Sequence, residues 1–114
     1  MKSSPRTPLR IAAWVAFLTV LTQVSVGALL ISGQRQLEGV HNIMGHVTLT
    51  VAIIVAGVFI VRRRVSTALN VVVAIALAVM VVLQYATGES GLISLHAFTG
   101  VIIGLLALLL ALWA

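Results

Sequence analysis

The chain contains no cysteine. That excludes disulfides, thiolate metal sites, thiol nucleophiles and haem held through a C-x-x-C-H motif. Acidic residues are almost as scarce. Glu38 and Glu89 are the only two in 114 residues, so paired-carboxylate chemistry would have to use both of them. Charged residues are 8% and aromatics 5% of the chain. No Ser or Thr has a base and an acid at a spacing that would make it a nucleophile. No acid lies deep in an apolar run, where an ion relay through a membrane would need one. The net charge of +5 does not indicate a nucleic-acid partner, because the basic residues sit where membrane topology requires them.

What the chain has in abundance is apolar surface: 61% of residues are hydrophobic and the mean hydropathy is +1.23. A soluble domain of this length cannot hide so much, so the lipid bilayer is the expected solvent. The expectation is an all-α, integral membrane four-helix bundle. A tail over 1–8 precedes a single domain over 9–114, with helices at about 9–31, 40–61, 67–85 and 92–113. The first run is longer than the roughly 7–15 residues of a signal-peptide core and is read as an uncleaved span. Gly33 ends it. Arg62, Arg63 and Arg64 stop the second helix, since three arginines cannot enter hydrocarbon. Ser66 or Thr67 caps the third, Thr87 to Gly91 form the next turn, and Trp113 marks an interface. Lys2, Arg6 and Arg10 fall on the same side as the three arginines. The positive-inside rule makes that side cytoplasmic in a multi-pass cell-membrane protein with both termini inside. His41, His46 and His96 then lie near the outer face.

A repeat runs through this frame. Gln23-x-x-x-Gly27, a loop and His41-x-x-x-Gly45 are followed by Gln84-x-x-x-Gly88, a loop and His96-x-x-x-Gly100. His41, Gly45, Thr48 and Ala52 share one helix face, and His96, Gly100, Ile103 and Ala107 repeat it at the same offsets. A duplicated hairpin implies a pseudo-twofold axis along the membrane normal, with His41 and His96 opposed at equal depth. Two such imidazoles suit the axial positions of one iron, and without cysteine the group would be a non-covalent b-type haem, with Gly45 and Gly100 making room for the porphyrin. The rival reading leaves each His at a helix start, bonded to water or a neighbour.

His46 lies five residues after His41, turned by about 140° around a helix, which disfavours a three-histidine zinc or copper site. It shares a face with Thr50, Ile53 and Gly57. It is the haem ligand if helix 2 is rotated, or else a partner for a haem propionate or another helix. Glu38 either orients His41 or pairs with Arg35. Gln23 and Gln84 are expected to make interhelical hydrogen bonds. Gly100-x-x-x-Gly104 is a weak packing motif.

Taken together, Gln23 and Gly27, Glu38 and His41, Arg62 to Arg64, Gln84 and Gly88, and His96 resemble one four-helix half of the haem A synthase family. The resemblance covers nearly the whole chain, though its motifs are short. It implies the fold, a His pair from the second and fourth helices, and haem b. The chain is also similar to small uncharacterised four-span bacterial membrane proteins that share these two histidines. It departs from the synthases in having one half only, Asn42 where they usually have Arg, and no long outer loop with cysteines. The resemblance therefore does not extend to hydroxylation of a haem methyl group. A homodimer would restore eight helices. The expected function is b-type haem binding near the outer face for electron transfer or haem handling. The alternative is a non-catalytic membrane interaction subunit, alone or in a larger complex, whose histidines are structural.

Overall fold

A computed structural model describes residues 4–114. Met1 to Ser3, the start of the expected tail with Lys2, lie outside the described residues. Four long helices follow in order: α1 (Thr7–Ile31), α2 (Glu38–Val61), α3 (Ala68–Glu89) and α4 (Ile93–Trp113). A short 3-10 turn, Arg35–Leu37, leads into α2. All four are long and apolar enough to cross a membrane. The Val-rich start of α3 is weak helix material in water. In lipid a helix is the form that satisfies every backbone group within one span.

The helix ends follow from local chemistry. α1 begins two residues before the expected Leu9 because Pro8 falls within its first turn, where its missing N–H leaves no bond unmade. Thr67 caps α3, its hydroxyl accepting from the Asn70 amide at 3.1 Å. The turns after α1 and α3 are built alike. Gly33 (φ 108°) and Gly91 (φ 72°) take the left-handed conformation. Around them Gln34 N–H reaches Leu29 C=O at 3.0 Å, and Leu92 N–H reaches Thr87 C=O at 3.2 Å. Each is a Schellman ending, which closes off the orphan carbonyls of the helix. The third helix was expected to stop near Tyr85. It runs on to Glu89 because Gly88 is an ordinary helical residue and Gly91 is the true breaker.

The helices form a closed ring in which α1 packs on α2 and α4, and α3 packs on the same two. α1 faces α3, and α2 faces α4, across the diagonals. One end of the bundle carries the Arg62–Arg64 loop, the beginning of α1 and the end of α4. The other carries the two Schellman turns and the histidines.

The core obeys the repeat. Shifting α1 by 61 positions, the step from Gln23 to Gln84, carries its buried residues Leu9, Ala13, Ala16 and Val20 onto the buried residues of α3, Asn70, Ala74, Leu77 and Val81. Shifting α2 by 55, the step from His41 to His96, carries buried Thr48, Ala52, Val55, Ala56 and Phe59 onto Ile103, Ala107, Leu110, Ala111 and Ala114, all buried. The two hairpins are thus equivalent in what they bury, although their loops differ. Large apolar side chains such as Ile11, Leu18, Ile54, Val72 and Leu105 point outward on every helix, as lipid-facing surfaces do. At the arginine end the buried Asn70 amide donates to the Trp113 carbonyl at 3.2 Å, tying α3 to α4.

Candidate functional site: a histidine pair locked by glutamine and glycine

His41 and His96 each sit three residues into their helix, α2 and α4. Their backbones are diagonal to one another, yet the side chains meet. The ring centres are 6.0 Å apart and the planes nearly perpendicular, at 80°.

What holds the rings is the partner helix of each hairpin. A Cβ on Gly27 would stand 3.1 Å from His41 Cε1, and one on Gly88 would stand 2.9 Å from His96 Cε1. Each imidazole therefore lies flush on a glycine of the preceding helix. The reverse contact is also made. A Cβ on Gly45 would stand 3.4 Å from the Gln23 Nε2, and one on Gly100 would stand 3.1 Å from the Gln84 Nε2. These amides donate to the backbone carbonyls of His41 (3.0 Å) and His96 (2.5 Å).

The spacing of four explains both contacts. In a helix the carbonyl of residue i already accepts from the amide of i+4, but its second lone pair is free. With glycine at i+4 no side chain covers it. Gln-x-x-x-Gly and His-x-x-x-Gly are thus two halves of one antiparallel lock. Gly45 and Gly100, expected to make room for a porphyrin, are instead in contact with the glutamine amides.

The two copies of the lock are not equally complete. In the second hairpin His96 Nδ1 lies 2.9 Å from the Gln84 carbonyl. A carbonyl only accepts, so Nδ1 carries the proton and Nε2 presents its lone pair. The Thr99 hydroxyl bonds the Gln84 side-chain oxygen. In the first hairpin the matching atoms, His41 Nδ1 and Gln23 Oε1, are buried with no hydrogen-bond partner. The residue matching Thr99 is Met44, which has no hydroxyl to offer. Glu38 is exposed in the first turn of α2 and is not bonded to His41 Nδ1. Its negative charge suits the positive end of the helix dipole there.

His46 points elsewhere. Its Nε2 stands 3.5 Å from the Tyr85 hydroxyl on α3, with the rings 5.3 Å apart. Among the described residues no three His, Cys, Asp or Glu side chains converge as a metal site. Gly104 has nothing within contact distance of its missing side chain. Sequence reasoning did not single out Thr99 or Tyr85. Thr99 was accessible in principle, three residues after His96 on the turn facing Gln84. Tyr85 and His46 are 39 residues apart in different hairpins, and no periodicity links them.

No known family model, curated protein or solved structure matches the chain. With the ring centres at 6.0 Å and the His96 proton held on Nδ1, His41 and His96 are the residues that would hold a metal here. Gly45 and Gly100 are covered by the glutamine amides, so these two glycines would not supply the clearance for a porphyrin.

Proposed function

We propose that this four-helix membrane protein binds one b-type haem between His41 and His96 and serves electron transfer or haem handling. The observation that carries the reading is the opposed imidazole pair at 6.0 Å, one of its rings already oriented by a carbonyl at 2.9 Å. A bound haem would supply a one-electron couple tuned by its two axial ligands and by burial. The chain's own residues would do the positioning. Gly27 and Gly88 set the ring positions, and the Gln84 carbonyl sets the His96 tautomer. The absence of cysteine keeps the attachment non-covalent.

The arrangement in the membrane belongs to the same proposal. Arg6, Arg10 and Arg62 to Arg64 lie at one end of the bundle, and Arg35, Glu38 and Glu89 lie at the other. That asymmetry supports a cell-membrane protein with cytoplasmic termini and the histidine pair near the outer face. A homodimer would give the eight-helix arrangement that the resemblance to haem A synthases suggests.

A second reading has its own support. The rings stand edge to face and pack on glycine with no ligand required, so the lock can serve as a structural clasp in an interaction subunit. Absorption spectra of the detergent-purified protein, oxidised and dithionite-reduced, decide between the two. We expect a sharp reduced α-band that is lost in His96→Ala, lost or shifted in His41→Ala, and kept in His46→Ala. A colourless wild type expressed with ample haem would leave the clasp.

A further inference from the structure

We infer that His46 and Tyr85 form a headgroup site for a lipid-soluble quinone on the α2–α3 flank of the bundle. This rests on different residues from the haem reading and stands whether or not haem is bound.

Position is the first argument. His46 is exposed and Tyr85 half-buried on a flank that faces the surroundings of the bundle. At ~1.5 Å per residue, His46 lies about 12 Å along α2 from Glu38 and about 24 Å from Arg62. The charged residues at the two ends mark the edges of a hydrocarbon layer of about 30 Å. His46 thus projects from the bundle within the hydrocarbon, some way below the headgroups. A phospholipid phosphate would not reach this depth. Ionisable side chains at such positions are costly unless they have a partner or a task.

Bonding is the second argument. The protein partner of the His46 ring is Tyr85, at 3.5 Å, the outer limit of a hydrogen bond. The ring planes are tilted by 51°, and the two polar tips converge in a bond long enough to be exchanged for a better partner. Beside His46 runs a shallow, open groove along α2, lined by His46, Val47, Thr50 and Val51. The Thr50 hydroxyl is already spent on the His46 carbonyl at 2.9 Å. The groove therefore offers apolar walls beside one available polar group, the His46 imidazole.

The repeat supplies the third argument. The shifts that superpose the two cores carry His46 onto Val101 and place Tyr85 opposite Val24. The other flank of the bundle thus has two valines where this one has an imidazole and a phenol. Packing alone is content with valine, so the polar pair is not required by the fold.

The ligand must be a molecule that lives in hydrocarbon yet carries a neutral hydrogen-bonding group there. A quinone meets both conditions, having a flat ring on an isoprenoid tail. Its carbonyl accepts from the Tyr85 hydroxyl or an imidazole N–H. In the quinol form its hydroxyl donates to the free imidazole nitrogen. Both oxidation states therefore find a partner in the same pair.

The test uses the full chain reconstituted in phosphatidylcholine nanodiscs loaded with decylubiquinone and, separately, with a short-chain menaquinone. Quinone retained by affinity-captured discs is quantified by chromatography against empty discs. We expect saturable retention above the empty-disc level. His46→Leu and Tyr85→Phe should each weaken the apparent affinity about tenfold, as loss of one hydrogen bond would. Leu105→Ala, on an exposed position of α4, should leave it unchanged. Tyr85→Phe removes one oxygen only, so its effect does not depend on a misfolded bundle. Retention no greater than empty discs for both quinones overturns the proposal, as does retention untouched by both variants. So does a dimer that dissociates on His46→Leu while quinone retention stays the same, which would assign this face to a second copy of the chain.

Discussion

A methyl group added at position 88 would sit 2.9 Å from His96 Cε1, and one added at position 27 would sit 3.1 Å from His41 Cε1. The distances are similar but the rings differ in freedom. His96 is tied to the Gln84 carbonyl at 2.9 Å, whereas His41 Nδ1 has no partner to lose. Gly88→Ala should therefore force a held ring against its lock and destabilise the protein by about 1–3 kcal/mol, as overpacking does. In Gly27→Ala the His41 ring can yield, and the better helix propensity of alanine, about 1 kcal/mol, offsets the strain. Thermal unfolding of both variants in one detergent checks the order. Equal losses would mean that the unpartnered His41 is as fixed as His96. The histidines and glycines of this site were legible in the sequence as a spacing of four. Their roles were not, because spacing does not say which side chain of the antiparallel neighbour fills the gap above a glycine. Gly45 and Gly100 read as room for a porphyrin, and they hold glutamine amides instead.

At the scale of helices, each hairpin carries one copy of the lock, and only the second is fully bonded. Thr99 contacts the Gln84 side-chain oxygen, while the matching Gln23 Oε1 is orphaned, the residue equivalent to Thr99 being Met44. Met44→Thr places a hydroxyl at the equivalent position. It should raise stability by about 0.5–1.5 kcal/mol, the usual net worth of a hydrogen bond, less the apolar contact that methionine makes. The complementary pair sharpens the test. Gln84→Leu should cost more than Gln23→Leu, since it also removes the interhelical bond from Thr99, whose hydroxyl falls back on the Leu95 carbonyl at 2.8 Å. Guanidine-free thermal melts in mild detergent give both comparisons. The helix ends teach a related point. Gly88 and Gly91 look equally capable of stopping α3, but only Gly91 takes a positive φ. Gly88 stays helical, with the His96 ring packed against it.

For the molecule as a whole, the contacts between hairpins, α1 on α4 and α2 on α3, complete the same ring as the contacts within them. The buried residues of the two hairpins superpose under a constant shift. Each hairpin thus presents the other with a like surface. Two separately expressed chains, divided in the exposed loop between Arg62 and Thr67, should reassemble when produced together. An affinity tag on one hairpin should recover the other. Because His41 and His96 belong to different hairpins, any haem absorbance should belong to the recovered pair and not to either hairpin alone. Failure of the hairpins to associate would show that the covalent loop, rather than the inter-hairpin surface, holds the bundle together.

Composition and charge placement by themselves determined the class of molecule: four apolar helices, short connections, and histidines at the end away from the arginine loop. These follow from the length of hydrocarbon a helix must cross and from the cost of burying charge, which are properties of residues in series. The repeat of Gln, Gly, His and Gly also stood in the sequence, and with it the prediction that His41 and His96 face one another. Only the tertiary structure decided what surrounds them. It placed the glutamines over the second pair of glycines, left His41 and Gln23 each one bond short, and brought His46 to Tyr85 on another flank. Those outcomes depend on how the faces of separate helices meet, and side chains brought together across a bundle leave no periodic trace along the chain.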